Sequence, residues 1–355
     1  MAFAPFVQEY VSALTEGDPR FVPEIDSRDE MYSYGLHSLR GNPDAAAILY
    51  FLTGRQIADT VLAARRWRFE NRDPGVLLDF ASGFGRATRF LTLTVPPGSL
   101  WVSEIDAAAV AFQESRFSVS GVVSSKTAAE FNPPRRFDAI AASSFFSHVP
   151  AGPFEDWLAR FYDLVNPGGV LVFSTHGPSL LTEEADWSTG LVFRGQSETE
   201  RLDPSDYGTS YVRPEFVEAA AARVSGGEAA LHYVPFGLCG HQDLFLLARP
   251  PHLPVRPPSV PRVPRGELHT LQIRDGGERL AVEGWIEAER ESVVTFFVEN
   301  RPLAVSRPED GETRRSWSFD VELRGVSSDA VLRIEASTRA GTTKILAMGT
   351  LRPYL

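Results

Sequence analysis

The residues able to do chemistry sit at a few points of the chain. Gly83 and Gly85 stand in ASGFGRATRF, directly after the apolar run VLLDF, which carries an acid at Asp79. A strand that breaks on glycine and restarts as a helix lets backbone approach a ligand without a Cβ in the way. It also leaves N–H groups at the helix start. Asp106 follows Gly85 by 21 residues (106 minus 85), close to the spacing at which an acid on the next strand takes the hydroxyls of a ribose. Glu104, two residues earlier on the same strand face, is the second candidate, and Asp106 is preferred for its place at the strand end. Two histidines, His148 in FFSHVP and His176 in STHG, follow later apolar runs. Imidazoles there can take a proton near neutral pH.

The type of nucleotide can be weighed from the same segment. A dinucleotide site wants a third small residue so that helix and strand pack closely, and Thr88 occupies that position. A pyrophosphate would be repelled by an acid inside the turn, whereas an amino-acid ammonium beside Asp79 would be attracted. The pattern favours S-adenosylmethionine over NAD. Methyl transfer from it is an in-line displacement, so the remaining residues must align an acceptor and, for an oxygen acceptor, supply a base. His176 is the first choice for base or acceptor-orienting group, and His148 the second, with bracing of its own loop as the competing role. His241 reads as structural and His232 as a core residue; His37, His252 and His269 carry no case. Tyr50, Arg55, Tyr207 and Tyr211 could close over the acceptor or simply pack. No spacing of histidines and carboxylates suggests a metal.

These residues need a scaffold. VLLDF (76–80), LWVSEID (100–106), GVVSS (121–125), FDAIAAS (137–143) and GVLVFST (169–175) are short apolar runs separated by amphipathic stretches, the pattern of a parallel sheet with helical crossovers. AALHYVPF (229–236) and QDLFLLAR (242–249) are placed to pair as an antiparallel edge ribbon. Residues 1–72 read as a helical cap. Asn42 and Pro43 open a helix to Arg68, with a break expected near Gly54. Residues 250–265 hold Pro250, Pro251, Pro254, Pro257, Pro258, Pro261 and Pro264 and read as an extended linker. Beyond it, RLAVEGWI, SVVTFFVE, SWSFDVEL, AVLRIEAS and TKILAMGT suggest a small β-sandwich over 266–355. The expected division is thus 1–72, 73–249, 250–265 and 266–355, with an α/β Rossmann-like sheet in the second part and an all-β accessory domain last.

Composition narrows the partners. A net charge of -11 over 355 residues argues against nucleic acid or an anionic membrane. Only Lys126 and Lys344 among the 35 basic residues are lysines, which reads as a usage bias. Cys239 stands alone, so no intrachain disulfide forms. No apolar run reaches membrane-spanning length, and MAFAPFVQEY lacks the pattern of a signal peptide, so a cytoplasmic location is expected.

Together DFASGFGR, EIDAAAV, FDAIAASSFFSHVP, WLARFYDLVNPGG and FSTHG resemble class I S-adenosylmethionine-dependent methyltransferases. The resemblance spans roughly residues 30–249. It is greatest to a bacterial group whose fourth strand ends in a Ser-x-Phe-x-His-Leu-Pro-like sequence. Ala81 departs from the Gly or Cys of many relatives, and Val149 replaces Leu. The resemblance implies Asp79, Ala81, Gly83 and Gly85 around the methionine part of the cofactor, and Asp106 on its ribose. It implies Ile105 with Ser124 or Ser125 beside adenine, and Ser143, Ser144 and Phe145 facing the cofactor. That group is associated with cell-surface glycan assembly, so O-methylation of a saccharide or glycan-linked acceptor is implied. A small natural product, a protein side chain, or a non-catalytic nucleotide-binding scaffold remain as alternatives. Docking or homo-oligomerisation falls to the C-terminal β-domain.

Overall fold

The computed structural model describes residues 3–70, 72–195, 203–251, 254, 256–308 and 314–350. His252 therefore lies outside the described residues. The helices and strands, in chain order, are α1 (Pro5–Leu14), α2 (Glu30–Ser38), α3 (Pro43–Phe69), β1 (Leu77–Phe80), α4 (Thr88–Leu91), β2 (Leu100–Glu104), α5 (Ala107–Phe117) and β3 (Ser120–Val123). There follow β4 (Phe137–Ala142), α6 (Ala151–Leu164), β5 (Val165–Thr175), β6 (Leu191–Arg194), β7 (Thr209–Val212), α7 (Pro214–Ser225), β8 (Ala230–Leu238) and β9 (Gln242–Ala248). The chain ends in β10 (Arg265–Arg274), β11 (Arg279–Glu287), β12 (Val293–Val298), β13 (Arg301–Ser306), β14 (Arg314–Glu322), β15 (Leu332–Ser337) and β16 (Thr343–Gly349).

Contacts divide the described chain into two compact units. One holds residues 18–31 and 53–261, the other the residues to Gly17, Tyr32–Leu52 and those from Arg262 onward. In the first, a seven-stranded sheet runs in the order β3-β2-β1-β4-β5-β9-β8. Strands β1 to β5 are parallel and β9 is antiparallel to β5. This is the Rossmann-like sheet with the edge ribbon expected from the sequence. Burial on both faces of β1, β4, β5 and β9 explains why these strands read as unbroken apolar runs. Helix α6 presents Phe154, Trp157, Leu158 and Phe161 to the sheet, all buried, each contributing ~1.5–3 kcal/mol by burial. Phe80, at the end of β1, sits among Phe131, Phe145, Trp157 and Phe161 at centroid distances from 4.6 to 5.2 Å. That packing fixes the strand end from which the glycine turn departs.

Three expectations are corrected in this unit. Residues 15–29 are not helical. Helix α3 does not break at Gly54: a Cβ there would lie 2.1 Å from the Arg86 carbonyl oxygen, so glycine serves close packing against the turn. The start of the proline-rich stretch is held to the unit rather than free. Arg68 donates to the carbonyls of Gly169, Arg249 and Pro251, and Trp67 Nε1 to that of Arg256.

The other unit contains two antiparallel sheets, β10-β11-β14 and β13-β12-β15-β16, with Val282, Ile286, Phe296, Trp317, Phe319 and Ile334 in one core. Strands β10 and β13 were not foreseen. Both are edge strands with half-exposed residues, and Pro302 in β13 is tolerated because an edge strand has backbone outside the ladder. Helix α1 belongs to this unit, which a division at residue 72 does not express. Val7 and Val11 are buried, and the Arg333 guanidinium lies between the rings of Tyr10 and Phe297 at 4.8 and 4.7 Å. Arg333 pairs with Glu335, to which Tyr10 also donates. Alternation from the core residue Ile334 puts Arg333 and Glu335 on the outer sheet face, so α1 covers that face.

Candidate active site

The site begins where β1 ends. Asp79 is buried, and Thr88 Oγ1 donates to its Oδ2 at 2.8 Å. Burial pushes the Asp79 carboxyl up to about 7; the Thr88 hydrogen bond opposes this and the neighbouring Glu104 adds to it. Thr88, which argued against a dinucleotide, thus has a job of its own. The chain turns through left-handed backbone at Ala81, Gly83 and Gly85, with φ of 54°, 56° and 81°. The two glycines differ in what surrounds them. A Cβ on Gly83 would meet nothing within 4 Å, whereas one on Gly85 would lie 2.3 Å from Phe117 Cε2 and 2.9 Å from Gln113 Oε1. Gly83 therefore faces open space and Gly85 faces α5. Gln113 Nε2 donates to the Gly83 carbonyl and to Ser82 Oγ, both at 2.8 Å.

Glu104, the last residue of β2, reaches this turn. Its Oε2 accepts the Gly83 N–H at 2.9 Å and its Oε1 the Ile105 N–H at 2.7 Å. Burial raises its carboxyl above the usual range despite those bonds. Asp106, preferred from sequence for the ribose, is the N-cap of α5, accepting the Ala108 N–H at 2.8 Å. The acid next to the glycine turn is Glu104. Ile105 is 36% exposed beside it. The Ser124 N–H donates to the Glu104 carbonyl, so the ends of β2 and β3 lie together, while Ser125 Oγ is directed to the Thr127 carbonyl.

At the ends of β4 and β5 a polar network forms around a residue not singled out from sequence, Gln242. Its Oε1 takes the hydroxyls of Ser174 and Ser144 at 2.7 and 3.1 Å, and its Nε2 lies 3.5 Å from Ser147 Oγ and 3.2 Å from His176 Nε2. Ser143 is half-buried on the same turn. Phe145, expected to face the cofactor, turns into the aromatic core because its ring packs on Phe80 and Trp157. His148 Nδ1 lies 2.8 Å from the Gly208 carbonyl, and its ring stacks on Tyr207 at 4.8 Å. His176 stands 6.0 Å from His148 and 5.9 Å from His241, ring to ring, with Tyr211 at 5.7 Å. Burial first, then His148 and His241, drives its pKa down to about 4, against a weaker Ser210 backbone bond. Its Nδ1 is buried, so neither ring nitrogen is presented as a base. The hairpin β6–β7 is pinned over this rim by bonds from Gly208, Ser210 and Val212 to the carbonyls of His148, Ser147 and His176.

A strap of residues 18–31 lies on the glycine turn, also unforeseen. Arg89, fully buried, donates to the carbonyls of Val22, Glu24 and Gly85, and Arg28 stands 5.3 Å over the Phe84 ring. A buried arginine carries no periodic signal that marks it in sequence. Tyr50 packs in the other unit against Tyr32 and Phe51, and Arg55 pairs with Asp59. Among the described residues, no group of three His, Cys, Asp or Glu side chains is arranged to hold a metal ion, and no helix is long and apolar enough to cross a membrane.

Residues 51–203 match a family model described as a methyltransferase domain. No curated protein matches the sequence significantly. Among solved structures, DesVI of Streptomyces venezuelae is similar at 21% identity, over 64% of this chain and 100% of that one, with a TM-score of 0.42. A DhpI–SAH complex is similar at 19% identity, over 63% and 97%, with a TM-score of 0.41. The sugar N-methyltransferase KedS8 from Streptoalloteichus sp ATCC 53650 is similar at 19% identity, over 54% and 87%, with a TM-score of 0.40. Residues 51–203 carry a methyltransferase domain.

Proposed function

We propose that the chain methylates a hydroxyl of a saccharide or glycan-linked acceptor, with Asp79, Gly83 and Glu104 holding the methyl donor and His148 taking the proton. One observation carries the donor site. Gly83 opens onto free space and gives its N–H to Glu104, whose carboxylate acts in turn on the buried Asp79, and both acids are held above the usual carboxylate range. Such carboxylates favour a cationic ligand, and S-adenosylmethionine offers an ammonium, a sulfonium and a pair of ribose hydroxyls. When bound, it supplies an electrophilic methyl group. Ala81 and Gly83 leave room for its amino-acid part, and Ile105 and Ser124 flank the adenine side.

The proton is assigned by tautomer. A carbonyl can only accept, so the hydrogen of neutral His148 is on Nδ1 toward Gly208, and Nε2 carries the lone pair. With the donor held by Asp79, Gly83 and Glu104, His148 Nε2 would take the proton that the acceptor hydroxyl gives up as its oxygen gains the methyl group. Tyr207, stacked on His148, holds the ring plane. The saccharide acceptor follows from the resemblance of residues 143–150 to glycan-assembly methyltransferases. Isotope-labelled S-adenosylmethionine offered with a panel of sugars and glycans, read by mass spectrometry, tests it. Labelled saccharide is expected, falling ~100-fold or more in His148→Ala. Label appearing only on small natural products or protein side chains would replace the acceptor class, and no transfer to any acceptor would remove the reading.

A further inference from the structure

Gln242 opens β9 with a buried amide that four side chains meet. Counting hydrogens fixes which way the amide points. Ser147 has one hydroxyl hydrogen and gives it to the Ser144 carbonyl at 2.6 Å, a group that can only accept. Toward Gln242, Ser147 Oγ can therefore only accept, so the amide nitrogen faces it. The oxygen then faces Ser174 and Ser144, whose hydroxyls it takes, while Ser174 Oγ accepts the Ser144 N–H at 2.8 Å. The same amide nitrogen stands 3.2 Å from His176 Nε2. It has only hydrogens to offer, so His176 Nε2 must present a lone pair and the ring hydrogen must be on Nδ1.

We propose that Gln242 is a positioning residue that holds His176 as the Nδ1–H tautomer, takes its Nε2 lone pair out of the reaction, and leaves the proton-accepting role to His148. The proposal rests on the methyl-transfer reading and names the group that decides which histidine serves it. The two rings use the same tautomer to opposite ends. In His148 the Nδ1 hydrogen is spent on the Gly208 carbonyl, which leaves the lone pair on Nε2; in His176 the lone pair is spent on the amide. The titratable groups around His176 are His148 from the β4 rim, His241 before β9 and Tyr211 on β7. Asp243, next along β9, is directed to Tyr233 Oη and the Phe236 N–H.

The test is nitrogen NMR of the histidine rings in the full chain. In the wild type, His176 is expected as the neutral Nδ1–H form at pH 7, and still neutral at pH 5. Gln242→Glu puts an acceptor where the amide donated. The ring hydrogen should move to Nε2, and the His176 pKa should climb from about 4 toward or past neutrality. Gln242→Leu removes the donor without adding an acceptor and should give mixed tautomers, a change that lost packing alone would not cause. Wild-type His176 as the Nε2–H form would overturn the proposal even if neither variant folds. So would identical His176 signals in all three proteins. Titrating the same samples with S-adenosylhomocysteine separates the two claims. Ring signals as expected without binding by the wild type would remove the methyl-transfer reading and, with it, the catalytic role of Gln242.

Discussion

The Gly83 N–H donates to Glu104 Oε2 at 2.9 Å, which ties the glycine turn after β1 to the acid ending β2. One carboxylate thereby sets the turn's conformation and lies beside the space that Gly83 leaves open. A charge-assisted bond of this kind contributes ~1.5–3 kcal/mol, so the turn is preorganised before any ligand arrives.

The left-handed positions of the turn should respond differently to substitution. Gly85→Ala is expected to destabilise the fold, since its Cβ would press on Phe117 and Gln113. Gly83→Ala has room within the chain and should cost only ~1 kcal/mol of backbone strain, yet weaken cofactor binding by filling ligand space. Ala81→Gly should stabilise by a similar ~1 kcal/mol through relief at φ 54°. Thermal melts with and without S-adenosylmethionine check all three; equal loss of stability in both glycine variants would contradict this division.

Asp79 makes binding depend on pH. Its folded pKa of about 7 lies above the ordinary value of 3.8, so between these values the folded chain holds a proton that the unfolded chain has released. Stability therefore falls as pH rises through that window. A cationic ligand favours the carboxylate, so S-adenosylmethionine should bind with proton release and tighten from pH 5 to 7. Calorimetry in buffers of different ionisation enthalpy measures the release, and Asp79→Asn should abolish it.

His176 works in the opposite direction. Its folded pKa of about 4 lies below the ordinary value of 6.5, so stability is lost as pH falls through that interval. The two effects offset each other between about 4 and 6.5 in the wild type. Denaturant titrations of Asp79→Asn should then reveal a steeper acid decline, and adding His176→Gln should flatten it. An unchanged acid profile in Asp79→Asn would count against both assignments.

Much of this arrangement was legible in the sequence, for physical reasons. Doubly buried parallel strands leave continuous apolar runs, so β1 to β5 and the glycine turn could be located. Spacing and place at the strand end favoured Asp106 over Glu104, because the acid that caps α5 and the acid that takes the Gly83 N–H both stand at the end of β2. The alanine-rich start AAAVAF after Asp106 was the available signal for a cap. Gln242 stayed hidden because an amide next to His241 reads as hairpin surface, whereas β9 is buried on both faces. Helix α1 could not be assigned to the β-sheets, since Arg333 and Glu335 look like solvent residues of an alternating strand until Tyr10 covers them.

That last contact yields a prediction for the β-containing unit. Arg333→Ala would leave the buried Glu335 carboxylate without its partner and should cost ~3–5 kcal/mol. A chain ending at Arg249 would also strip helix α1 of the sheet it covers. It is expected to aggregate or expose Val7 and Val11, contrary to the simple separation that the proline-rich stretch suggested. Hydrogen exchange of α1 in such a chain is the check; protection equal to that of the full chain would contradict the packing account.

The central claim is that Glu104, and not Asp106, grips the methyl donor beside Gly83. Calorimetric titration of S-adenosylmethionine into wild type, Glu104→Ala and Asp106→Ala tests it most directly. The expected result is binding by the wild type and a loss of at least ~10-fold in Glu104→Ala. Asp106→Ala should chiefly lose ~1 kcal/mol of stability from the missing cap. Absence of binding by the wild type, or unchanged affinity in Glu104→Ala, would contradict the account.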